Sequence, residues 1–207
     1  MTKHRASHSL FLGLFVILLA MPVFHVLAQK ADLEGPLGLT WGFSADQVRA
    51  LGVDLKDGPP SDFGVSYAAT KLPRAVSDQE LAFVSFGYDD KLWRVMAISR
   101  PFSSDPSGTN IKSRYQELST ILAEKYGKPL SVQSLGDSIY KQPQYFLAGI
   151  NGGHSSWYSN YETPKLFVQL SLAAESSSTG RWRIIFEEKS LRQAFDLARK
   201  AKEKGAL

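Results

Sequence analysis

"LAFVSFGYDDKLWRVMAIS", residues 81–99, places two apolar runs on either side of Tyr88-Asp89-Asp90-Lys91. Aspartates tolerate the backbone a tight turn requires, and Val, Phe, Trp and Ile suit a pleated, half-buried surface. The stretch therefore predicts an antiparallel hairpin. In its second run Trp93, Val95 and Ala97 share one face, while Leu92, Met96 and Ile98 take the other, interrupted by Arg94. Apolar residues on both faces predict a central strand covered from both sides over most of its length.

Working outward, "PFSSDPSGTN" (residues 101–110) reads as a turn and helix entry, with Pro106 presetting φ after Asp105 and Gly108 closing the turn. Its Asp and Asn do not follow the alternating ligand pattern of a calcium loop. A long helix is expected from about Thr109 to Tyr126, because Ile111, Tyr115, Leu118, Leu122 and Tyr126 recur at three- and four-residue steps. Gly127 and Pro129 stop it. Strands are expected over 138–147, 155–161, 166–173 and 182–187, with 65–72 a weaker one, and "DLKDGPPSD" (54–62) reads as a loop. Leu37, Leu39 and Trp41 alternate with Gly38, Thr40 and Gly42 as in a brief strand, with Trp41 plugging the core. A short helix then starts at Ser44, which forms a capping box with Gln47, buries Val48 and stops at Gly52. Ser190 is placed to cap a final helix with the narrow stripe Leu191, Ala194, Phe195 and Ala198.

Helices outside the hairpins predict an α+β fold, a mainly antiparallel sheet with helices packed on one face. Residues 29–189 are expected to form a single α+β domain. Its halves 36–100 and 101–189 repeat an α-β-β-β order as pseudo-repeats, and residues 190–207 are expected to form a basic, solvated helix.

The N-terminus sets the compartment. Lys3 and Arg5 precede an apolar run ending Val26-Leu27-Ala28, the pattern of a signal peptide over residues 1–28, cleaved after Ala28. The expected location is therefore periplasmic or secreted, with no membrane span left after cleavage. The absence of cysteine excludes disulfides and thiolate metal sites, so the core must suffice alone. Of 24 basic and 20 acidic residues, two basic ones leave with the peptide. Residues 190–207 carry five basic side chains against two acidic, so the remaining charge is slightly negative. No basic stripe suits nucleic acid.

"LGLTWGFSADQVRALG" (residues 37–52), followed by a hairpin and a helix ending Lys125-Tyr126-Gly127-Lys128-Pro129, resembles the opening of a recurrent kind of exported bacterial α+β protein of uncharacterised role. It is also similar to small outer-membrane-assembly lipoproteins and to the beta-lactamase-inhibitor-like fold. The lipobox cysteine of the lipoproteins is missing here. The resemblance implies a non-catalytic domain that binds protein surfaces across its sheet.

Once the leader is removed, His154 is the only histidine, which rules out a histidine-rich metal site. A Ser-His-Asp hydrolase would have to use His154 in "NGGHSSWYS", without a G-x-S-x-G elbow to supply its serine. A turn is the simpler reading of Asn151-Gly152-Gly153. The remaining feature is aromatic density, from which Tyr145, Trp157, Tyr158 and Tyr161 are the candidate binding residues, for an envelope protein or cell-wall glycan. Trp157 and Tyr161 share one strand face and Tyr158 the other. No catalytic residue, metal ligand or cofactor is assigned. The leading expectation is a non-catalytic binding or scaffolding module of the bacterial envelope, with the His154 hydrolase and an inhibitor of a secreted enzyme as alternatives.

Overall fold

Eight strands pair antiparallel in one sheet, in the order β1-β2-β3-β4-β8-β7-β6-β5. The computed structural model describes residues 34–206, so the predicted signal segment lies outside the described residues. The strands are β1 (Asp54–Asp57), β2 (Val65–Thr70), β3 (Gln79–Phe86), β4 (Leu92–Ser99), β5 (Leu130–Ser134), β6 (Ser156–Glu162), β7 (Leu166–Ala174) and β8 (Gly180–Glu188). The helices are α1 (Ala45–Ala50), α2 (Thr109–Tyr126), α3 (Phe146–Asn151) and α4 (Lys189–Ala206).

The α+β reading holds. The hairpin of residues 81–99 is the β3–β4 pair, and its turn is closed by the Gly87 N–H on the Lys91 carbonyl. Each half of the sheet is a meander, β1–β4 and β5–β8, and the two join where β4 pairs β8. The expected α-β-β-β repeat is not the observed order: each half has four strands, and α3 interrupts the second.

One sheet face carries Val84, Val95, Ile184, Phe186, Leu170 and Tyr161, all buried. α2 covers it with Ile111, Tyr115, Leu118 and Leu122, four of the five residues on the predicted stripe. Fully burying a side chain of this size stabilises the fold by roughly 1.5–3 kcal/mol. The first turn of α2 is closed from outside by Asp105, whose buried carboxylate accepts the backbone N–H groups of Thr109, Asn110 and Ile111 at 2.8–3.1 Å. Those are donors that a helix start leaves without intrahelical partners. The capping box of Ser44 and Gln47 forms as predicted, and Trp41 is buried in the core.

Four local expectations are corrected, and one strand is added. Residues 37–41 are not a strand; Pro36–Gly38 is a 3-10 turn, and only Thr40 bridges, to Glu34. Residues 54–57, read as loop, form edge strand β1, and edge strand β5 was not anticipated. Residues 138–147 are two 3-10 turns and the start of α3, because Pro143 fixes the chain and Phe146 and Leu147 turn together into the core. Trp93 does not share a face with Val95. A register shift opposite Ser85 and Phe86 gives Leu92 the core position and sends Trp93 outward beside Arg94.

The α4 helix completes the picture. While α1, α2 and α3 lie on the core side, α4 docks on the outer face at the β4–β8 junction, where Phe195 stacks on Trp93 at 5.0 Å and on Tyr88 at 5.4 Å. Phe195 is 4% exposed, so the predicted solvated helix is anchored at its middle. Glu188, rather than Ser190, caps it, accepting the Leu191 N–H at 2.6 Å.

Candidate functional site

Strand alternation places Arg94, Met96 and Ile98 of β4 on the outer face, opposite Glu187, Ile185 and Arg183 of β8. One charged pair, Arg94 with Glu187, and one mixed pair, Ile98 with Arg183, thus flank the apolar pair of Met96 and Ile185. Arg94 Nε donates to Glu187 at 3.1 Å, and the Arg94 guanidinium lies 4.0 Å from the centre of the Phe63 ring. Burial lowers the Arg94 pKa from the ordinary arginine value against the pull of Glu187, and the guanidinium remains a cation at neutral pH. Arg192 reaches the other oxygen of Glu187 at 2.5 Å, tying α4 to the pair.

Beside this checkerboard, the loop of residues 58–64 stands off the sheet and leaves a groove of about 430 Å³. Phe63 walls it, and Phe83, Met96 and Ile185 form its apolar floor, with Arg94 and Arg183 on its rim. The Ser66 and Ser85 hydroxyls bond each other at 2.8 Å across β2 and β3 and are satisfied without a ligand. A second cavity of about 470 Å³ lies on the other side of Arg183, lined by Tyr158, Gln169 and Ser171.

Of the four predicted aromatic residues, Trp157 and Tyr158 line one cavity, and Tyr145 and Tyr161 lie elsewhere. Tyr161 is buried, its hydroxyl bonded to Ser119, so it belongs to the core and not to a binding surface. Trp157 packs edge-on against Phe146 at 5.3 Å, on the core side. Tyr145 is exposed in the turn before α3. Tyr158 faces the outer sheet surface, where it lines the second cavity beside Trp157.

His154 is exposed in the turn after α3, stacked on Tyr140 at 4.7 Å, and its ring makes no hydrogen bond among the described residues. The relay a serine hydrolase needs is not assembled there. Tyr115, by contrast, is a titratable group set apart from solvent. Burial pushes its phenol up to about 12, and it joins Ser159 and Ser131 in a hydroxyl chain at 2.7 Å per link that ties α2 to β5 and β6. Among the described residues no cluster of three or more His, Asp or Glu side chains is placed to hold a metal ion, and no helix is long and apolar enough to cross a membrane.

No family model, curated protein or solved structure matches this chain. The function is therefore argued from the site itself. The sequence placed Met96 on one strand face with Arg94 as an interruption but expected that face to be covered, and Arg183, Ser171 and Phe63 were missed. The available signal was "RWRIIF" in β8, which alternates Arg181 and Arg183 with Trp182 and Ile184 and so marks a face that is not wholly apolar.

Proposed function

We propose that this chain is a non-catalytic binding module of the bacterial envelope, exported through residues 1–28, and that it works through the outer face of its sheet at β3, β4 and β8. One observation carries the reading: Phe83, Met96 and Ile185 stay only partly covered in a groove rimmed by Arg94 and Arg183. An apolar floor with a few polar groups placed around it is the usual composition of a ligand site. The N-terminal sequence supports export.

The test places a photo-crosslinking amino acid at Met96 and, separately, at the exposed Ile121 of α2, in cells of a bacterial host. The expected result is a defined adduct from Met96 alone, on exported protein whose first residue is Gln29. Equal labelling at both positions would remove the groove from the reading. Retention of residues 1–28 on cytosolic protein would remove the export. A single adduct with a secreted enzyme in equimolar amount would replace the scaffold reading with the inhibitor one.

A further inference from the structure

Resting on the groove just described, we infer that Tyr158, Ser171 and Arg183 form the head-group site for an amphipathic anion, a carboxylate or phosphate bearing an apolar chain that lies over Ile185 and Met96. These three residues sit in one rung across the sheet, since Tyr158 pairs with Ser171 and Ser171 with Arg183. Adjacent side chains along such a rung stand about 4.5–5.5 Å apart at Cβ, close enough for all three to reach one anionic group.

Two features of the rung are otherwise unexplained. Ser171 is 7% exposed, and its buried hydroxyl has no hydrogen-bond partner among the described residues. Leaving such a group unsatisfied costs about 1–3 kcal/mol, and an acceptor oxygen of a ligand would remove that cost. Arg183 is exposed and has no acceptor or carboxylate partner among the described residues, unlike Arg181 on the same face, which is held by Glu80 and Glu175. Neither Asp nor Glu lines the cavity shared by Tyr158, Ser171 and Arg183, so an anion meets no repelling carboxylate there.

The apolar part follows from position. Arg183 is the one charged residue that lines both cavities, and Ile185 is the next outward residue along β8, with Met96 beside it. From Arg183 to the row of Glu187 and Arg94 the sheet runs roughly 13 Å, the reach of a medium-length alkyl chain. A bare inorganic anion would leave this floor unused, and a neutral lipid would leave Arg183 and Ser171 unmatched.

The experiment is calorimetric titration of the folded chain, below micelle-forming concentrations, with dodecanoate, dodecyl phosphate, dodecanol and inorganic phosphate. One dodecanoate or one dodecyl phosphate is expected per chain, and whichever binds tighter identifies the head group. Arg183→Leu is expected to weaken the anion by about tenfold or more, as loss of a charge-assisted hydrogen bond does, and so to remove the preference for the anion over dodecanol. Arg183→Lys should recover part of the loss, and Ser171→Ala should weaken the anion less than Arg183→Leu. Equal affinity of dodecanol and the anions, or no effect of Arg183→Leu, overturns the head-group site while leaving the groove standing. Inorganic phosphate binding as tightly as dodecyl phosphate overturns the chain's part. If no amphiphile binds, the inference fails, and the Met96 crosslink decides separately whether the groove reading fails with it.

Discussion

Arg94 and Glu187 meet 3.1 Å apart across the β4–β8 junction, with side chains only 9% and 8% exposed. Each charge is tolerable there because the other is present. Glu187→Ala should therefore destabilise the fold by about 3–5 kcal/mol, the cost of stranding a buried cation. Replacing both with Arg94→Met and Glu187→Leu should recover most of that loss. Urea unfolding of the wild type, the single and the double variant tests this; a single-variant loss no larger than that of a surface ion pair would refute it.

Phe195 holds α4 by stacking between Trp93 and Tyr88. Phe195→Ala is expected to cost about 3–5 kcal/mol if α4 stays docked. The more specific outcome is release of the helix. Its amides should exchange near the unprotected rate, while those of β4 and β8 stay protected. Uniform loss of protection across the sheet would show that α4 is not a separable element.

Asp78 accepts from Arg114 Nη2 at 2.8 Å and from the Trp182 indole N–H at 2.9 Å. Burial pushes its carboxyl up, but the hydrogen bonds and charge of Arg114, together with Trp182, hold it below the usual aspartate value. With the folded-state pKa depressed, the stabilisation is fully present above the ordinary aspartate pKa of about 3.9 and is lost as pH falls from there through the folded-state value. Asp78→Asn should flatten the stability profile below about pH 4 and lower stability at neutral pH. An unchanged acid limb in the variant would exclude Asp78 as its source.

Gly108 starts α2 with φ of 64°, and a Cβ there would come within 2.4 Å of the Phe146 ring. Gly52 also has positive φ, at 86°, but nothing lies within 4 Å of its Cβ direction. Gly52→Ala should thus cost only the left-handed backbone penalty, about 1–2 kcal/mol. Gly108→Ala should add a clash worth about 1–3 kcal/mol more. Thermal melts of both variants provide the comparison, and equal losses would contradict the close approach of α3 to this turn.

The legible parts of the fold were those where burial is one-sided and the pattern long enough to repeat. The Ile111–Tyr115–Leu118–Leu122 stripe spans most of an 18-residue helix, and the hairpin carries two apolar runs with a polar turn. Strands β1 and β5 gave no such signal because they are sheet edges, and DLKD and LSVQS are polar, mostly exposed sequences that discourage pairing with other chains. α3 was missed because six residues are too few to display a helical period, and its form follows from packing against the core. The outward turn of Trp93 depends on a register shift relative to β3 and on Phe195, about a hundred residues later, so no local window contains it. The candidate site was illegible for a related reason. Tyr158, Ser171 and Arg183 belong to three strands and become neighbours only through pairing register.

The junction of the two meanders also bears on how the chain reaches this state. Arg94 and Glu187 are 93 residues apart in sequence, whereas the pairings inside each meander join consecutive strands. Local closure is fast and distant closure slow, so the two sheets should assemble first and meet last. In the interval β4, with its apolar side chains, is a naked border able to recruit the same border of another molecule. Refolding yield should therefore fall as concentration rises, and the dead-end product should be an assembly of half-built sheets rather than a fully unfolded aggregate.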